Sequence, residues 1–161
     1  MKKFRLFPLI LLLCMAFTLL APCAFAVDDP DIGAQRAVIA DLDSGRILYS
    51  KNMDEKASPA SLTKIMTSYV VGQALKADKI KLTDMVTVGK DAWATGNPAL
   101  RGSSVMFLKP GDQVSVADLN KGVIIQSGND ACIALADYVA GSQESFIGLM
   151  NGYAKKLGLT N

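Results

Sequence analysis

The 161-residue chain contains no histidine, and that absence decides which covalent chemistry its side chains can perform. Ser-His-Asp and Cys-His nucleophile pairs, and every imidazole-containing zinc site, need a ring nitrogen as base or ligand. A serine nucleophile here must be activated by another base, and a lysine amine one helical turn away is the known alternative. Only Ser61, in Ser61-Leu62-Thr63-Lys64, has a lysine three positions on. Residues three apart share a helix face, so the Lys64 amine can reach the Ser61 hydroxyl. The positive end of the macrodipole at a helix's first turn favours an ionising hydroxyl there. Taken alone, such a pair arises about once by chance in a chain of average composition, and a solvent-facing Ser and Lys on a helix would look the same. The three cysteines are Cys14, Cys23 and Cys132, the first two inside an apolar leader. One thiol in the folded part excludes both a disulfide framework and a thiolate metal cage. Cys132 stands in an apolar helical stripe and reads as a buried small residue.

The elements that must hold Ser61 and Lys64 follow from the sequence around them. Ser58-Pro59-Ala60-Ser61 reads as a helix start, with Ser58 as N-cap and Pro59 at the first helical position. Leu62, Ile65, Met66, Tyr69 and Val70 recur at helical spacing, which predicts a helix buried in the middle of the domain. Upstream, residues 36–42 and 46–50 flank Asp43-Ser44-Gly45, residues that tolerate the positive backbone torsion of a tight turn, and predict a β-hairpin. Downstream, residues 77–111 are punctuated by glycine and proline and read as loops and short elements. Ser115-Val116-Ala117-Asp118 resembles a capping box opening a helix to about Gln126. Ser127-Gly128-Asn129-Asp130 breaks that helix, Gly128 letting the chain turn. A helix over 131–140 ends at Gly141, and another over 143–157 carries Phe146, Ile147, Met150 and Tyr153 on one face. Trp93 and Met106 are assigned to packing. There is no internal repeat or low-complexity tract.

The length fits about one domain, with 50% apolar and 20% charged residues and a net charge of +2. The basicity belongs to the leader. Met1-Lys2-Lys3-Phe4-Arg5 is a basic start, residues 6–20 are almost wholly apolar, and Ala24-Phe25-Ala26 supplies small residues where a signal peptidase cuts. Residues 1–26 therefore read as a cleavable signal peptide, with Val27 as the mature N-terminus and residues 27–161 as the folded part. The apolar run is short for a permanent membrane anchor, which needs about 20 residues. Lipoprotein processing at Cys23 is the other alternative, disfavoured by Pro22. Without the leader, 14 basic residues face 15 acidic ones, and no basic run remains to bind nucleic acid. The expected location is outside the cytoplasmic membrane.

Ala60-Ser61-Leu62-Thr63-Lys64-Ile65-Met66-Thr67, preceded by the hairpin and followed by Ser127-Gly128-Asn129 66 residues after Ser61, resembles the penicillin-binding serine D-alanyl-D-alanine carboxypeptidases. These are the S-x-x-K and S-x-N motifs of the serine acyltransferases that include β-lactamases. The resemblance runs from about residue 36 to 161, and residues 123–131 look like the low-molecular-mass enterobacterial enzymes. Ser50-Lys51-Asn52 also fits S-x-N but precedes the nucleophile and ends a strand, and it is taken as chance. The resemblance implies an α+β, β-lactamase/transpeptidase-like fold with helices on an antiparallel sheet. It implies Ser61 as acyl-ester nucleophile, Lys64 as its base, Ser127 as proton relay to the leaving amine, and Asn129 as the group holding the substrate amide or positioning Lys64. It further implies a peptidoglycan pentapeptide as substrate, β-lactams as inhibitors, no cofactor or metal, no nucleic acid, and work in the periplasm, at the outer face of the inner membrane.

The resemblance also implies a third motif, Lys-Thr-Gly or a close variant, on a strand that binds the substrate carboxylate. No Lys-Thr-Gly, Lys-Ser-Gly or His-Thr-Gly occurs in the 161 residues. Residues 27–161 are thus expected to be the N-terminal part of the catalytic domain, truncated before the rest of the sheet and before a C-terminal β-rich domain and membrane-associating helix. Two other expectations compete with an active carboxypeptidase: a catalytically inactive fragment, and a β-lactamase-like hydrolase, disfavoured because no Glu-containing deacylation loop is visible.

Overall fold

A computed structural model of the chain describes residues 30–159. The expected signal peptide, with Cys14 and Cys23, lies outside the described residues. The chain divides between Glu55 and Lys56 into two units.

The first unit carries the predicted hairpin. Strands β1 (Ala37–Ala40) and β2 (Ile47–Lys51) pair antiparallel, Ala37 opposite Lys51 and Ile39 opposite Tyr49, with a register irregularity between Ile39 and Ala40. Gly45 takes the left-handed conformation at φ +69°. Asp41 closes the turn, its carboxylate accepting the Ser44 N–H at 2.8 Å and the Ser44 hydroxyl. Those bonds hold the Asp41 carboxyl below the usual carboxylate range. The Ser50-Lys51-Asn52 triplet has local work: Lys51 Nζ donates to the Ile32 carbonyl at 2.7 Å and Asn52 Nδ2 to that of Gln35 at 3.0 Å.

Among its described residues the second unit contains four α-helices: α1 (Thr63–Lys76), α2 (Val116–Ile125), α3 (Asn129–Ala140) and α4 (Gln143–Lys156). It also holds a short antiparallel pair, β3 (Met85–Thr87) with β4 (Gln113–Ser115), in which Val86 faces Val114. Residues 77–111, read as loops and short elements, contain β3 and a 3-10 turn at Pro98–Leu100. The core joins Val70, Val71 and Ala74 of α1 to Val116, Leu119 and Val123 of α2, Ala131 and Leu135 of α3 and Phe146 of α4. These positions recur every three or four residues, as helix faces turned to a shared interior must. Ser115 caps α2 as predicted, accepting the Asp118 N–H at 3.0 Å and donating to the Asp118 carboxylate at 2.8 Å. Gly141 ends α3 at φ +78°.

One helix-level expectation is corrected in part. The buried face of α1 is Thr67, Val70, Val71 and Ala74, whereas Leu62 and Ile65 are 67% and 69% exposed. Of the predicted stripe, Val70 is buried and Met66 packs against the core, so the core-facing side overlaps that stripe and is rotated toward Thr67, Val71 and Ala74. Ile147 of α4, grouped with Phe146 and Met150 by spacing, is exposed, though the three line one concavity.

Candidate active site

Ser61 sits in a 3-10 turn, Ala60–Leu62, that runs directly into α1. Ser58 does not cap it; Pro59 occupies the cap position at φ −72°, ψ −10°, with no side-chain hydrogen bond. The next residue, Ala60, is at φ +46°, in the left-handed region that a Cβ disfavours. The chain therefore turns sharply just before Ser61, and the Ser61 side chain stands exposed at the head of the helix.

Lys64, one turn on, places Nζ 3.3 Å from Ser61 Oγ. Ser127 reaches the same oxygen from the loop joining α2 to α3, its hydroxyl donating to Ser61 Oγ at 2.9 Å. The separation of 66 positions is closed by the packing of α1 against α2 and α3. Ser127 is itself at φ +57°. Gly128, expected to supply the turn, has an ordinary φ of −67°. Its bareness serves close approach instead: a Cβ there would lie 3.1 Å from both Asp130 Oδ1 and Met106 Cγ.

Asn129 opens α3 and lines, with Ser61, Lys64, Thr67, Cys132 and Ile133, a cavity of about 500 Å³ also lined by Phe146 and Met150. Ser61, Lys64 and Ser127 also line a second concavity of about 380 Å³ with Ile65, Ser68 and Ile124. Ser61 therefore borders both spaces. All four predicted site residues, Ser61, Lys64, Ser127 and Asn129, are brought to this cleft.

Cys132 is half-buried and faces the first cavity, rather than lying wholly in the core. Burial pushes its thiol up to about 11, against the opposing charge of Lys64 and a hydrogen bond to Thr67. A protonated thiol is a weak nucleophile. Of the residues assigned to packing, Met106 lies against Gly122 and Gly128, and Trp93 stacks on Gly96 while remaining 42% exposed. Sequence reasoning passed over Asp130, which is fully buried. The available clue was an acidic residue directly following S-x-N, at the head of the apolar run Ala131–Ala136.

Helices with small antiparallel sheets, arranged this way, form the fold of the penicillin-binding proteins and transpeptidases. The structure superimposes on penicillin binding protein 6B from Escherichia coli with a TM-score of 0.78 and 53% identity, over 84% of this chain and 43% of that one. The chain belongs to the D-alanyl-D-alanine carboxypeptidase family, whose profile matches residues 23–161. It is 82% identical over 147 residues to D-alanyl-D-alanine carboxypeptidase DacC of Escherichia coli K12, covering 89% of this chain and 37% of the relative. To DacA of the same strain it is 59% identical over 132 residues, covering 82% and 33%. The chain thus spans about a third of the length of these curated relatives. Among the described residues no helix is long and apolar enough to cross a membrane.

Proposed function

We propose that these residues form the acylating half of an exported serine D-alanyl-D-alanine carboxypeptidase that trims the terminal D-alanine from peptidoglycan pentapeptides, acting in the periplasm at the outer face of the inner membrane. The observation that carries it is the convergence on Ser61 Oγ of Lys64 Nζ at 3.3 Å and Ser127 Oγ at 2.9 Å in a chain without histidine. The Lys64 amine takes the Ser61 proton as the hydroxyl oxygen bonds to the penultimate D-alanine carbonyl carbon. The Ser61 backbone N–H serves as one oxyanion donor. The tetrahedral intermediate collapses with cleavage of the C–N bond, and the proton passes from Lys64 through Ser127 to the leaving D-alanine nitrogen. Water then hydrolyses the ester, giving back the Ser61 hydroxyl and a shortened peptide carboxylate. Asn129 holds the substrate amide, a role suited to a side chain with both donor and acceptor. β-Lactams, which resemble the D-alanyl-D-alanine terminus, would acylate the same oxygen.

The test uses an extended form, in which residues 1–161 continue into the C-terminal remainder of the 82%-identical Escherichia coli relative. Peptide mapping after labelling with a fluorescent penicillin should find the ester on Ser61, and Ser61→Ala should abolish it. Label on Ser127 or Ser50 would show a different nucleophile. Export is checked separately by intact mass: protein recovered from an exporting host should begin at Val27, and a mass that retains residues 1–26 or carries a diacylglyceryl Cys23 would overturn that part.

A further inference from the structure

The acyl-transfer steps above make no use of Asp130, yet it is the one fully buried acidic side chain among the described residues. A carboxylate removed from water is costly unless its oxygens are hydrogen-bonded. Its partners are all backbone N–H groups. Oδ1 accepts from Met106 at 2.8 Å and from Ala131 at 2.9 Å; Oδ2 accepts from Leu108 at 3.0 Å and shares the Met106 donor at 3.0 Å. The 106–108 segment bends around the carboxylate through Phe107, held at φ +62°. The same strand of chain makes a second tie to the S-x-N loop, Asn129 N–H to the Ser104 carbonyl at 2.8 Å, while Gly128 N–H bonds to the Gly122 carbonyl at 3.0 Å. Directly before these three anchored residues, Gly128, Asn129 and Asp130, stands Ser127 at φ +57°, a conformation a non-glycine residue keeps only where its surroundings over-determine it.

We propose that Asp130 is a positioning residue of this site: its carboxylate clamps the 104–108 segment against the start of α3 and so holds Ser127 in the strained conformation that delivers its hydroxyl to Ser61. This rests on the acyl-transfer reading of Ser61 and Ser127. Asp130 itself touches no substrate. Without the clamp Ser127 relaxes toward negative φ, its Oγ leaves Ser61, and the proton path to the leaving nitrogen opens. The noncovalent fit of a penicillin, set by the cavity walls, is left in place.

Asp130→Asn is the direct probe, because an amide substitutes an N–H donor for one of two oxygens that both face backbone donors. In the extended form, stopped-flow acylation by a fluorescent penicillin separates the noncovalent dissociation constant from the acylation rate constant. We expect the rate constant to fall on the order of 100-fold, the scale of a misplacement of about 1 Å in a catalytic group, with the dissociation constant changed less than about threefold. A folded variant with an unchanged rate constant overturns the proposal, as does one in which only the dissociation constant moves. Amide hydrogen exchange on the unsubstituted protein gives an independent reading if Asp130→Asn does not fold. The Met106 and Leu108 amides should then be protected together with α3, and exchange as fast as at the exposed Arg101 and Gly102 would overturn the clamp. If the unsubstituted protein takes no label on Ser61, the carboxypeptidase reading falls while the exchange measurement still decides the clamp.

Discussion

Three non-glycine residues at positive φ, Ala60 at +46°, Phe107 at +62° and Ser127 at +57°, lie beside or within the motifs that meet at Ser61. Each costs on the order of 1–2 kcal/mol relative to an ordinary conformation, so the cleft is held against a local preference by the packing around it. Charge is stored in the fold elsewhere as well. Asp137 of α3 is pushed up to about 6, first by burial and then by the hydrogen bond and charge of Asp91; Asp91 in turn accepts from Gln143 Nε2 at 3.1 Å. A carboxyl whose folded value is raised binds its proton more tightly folded than unfolded. Its contribution to stability is therefore complete below the ordinary 3.8 and lost as pH rises through about 6. Asp137→Asn removes that slope. In the extended form the variant should melt a few degrees at most above the parent at pH 7, since partial exposure screens the effect, and the difference should vanish at pH 4. An equal difference at both pH values would show that Asp137 contributes by packing alone.

At the scale of elements, what was legible in the sequence was whatever had a local cause. Ser61-x-x-Lys64 and Ser127-x-Asn129 could be found because residue type and spacing alone define them, and the β1–β2 hairpin because Gly45 marks its turn. The cap at Ser115 and the αL stop at Gly141 are likewise written in a few adjacent residues. What escaped has non-local causes. β3 and β4 are three residues each, pair across 25 intervening positions, and are joined by no hairpin turn. The 3-10 turn at Ser61 depends on Ala60 adopting a conformation its type disfavours. The rotation of α1 depends on which side of it α2 and α3 occupy, and periodicity marks an apolar stripe without saying what lies opposite. Asp130 escaped because its partners are backbone groups some 22–24 residues upstream, which no side-chain motif records.

At the scale of the molecule, the distribution of apolar surface determines how residues 27–161 behave on their own. In the second unit Leu62, Ile65, Ile124 and Ile125 are each 65–80% exposed, and Ile65 and Ile124 face one concavity beside Ser61. In the first unit Val38, Ile39, Ile47 and Leu48 are about half exposed, consecutive residues baring both faces of a two-stranded ribbon that is marginal by itself. Exposed apolar surface on this scale marks an interface or an aggregation liability. The chain also has no Lys-Thr-Gly, the motif that the family resemblance places on the far wall of the cleft beside the second oxyanion donor. Loss of one such donor slows acyl transfer by about 100- to 1,000-fold, and lost orientation of the substrate carboxylate adds to that. Residues 27–161 alone should therefore self-associate and take penicillin label at least about 100-fold more slowly than the extended form. Sedimentation, thermal melting by circular dichroism and a labelling time course on the two proteins side by side check this. A monomeric, cooperatively melting segment that labels Ser61 within about tenfold of the extended form would mean that Ser61, Lys64, Ser127 and Asn129 suffice for acylation, the opposite of what a donor-poor cleft should allow.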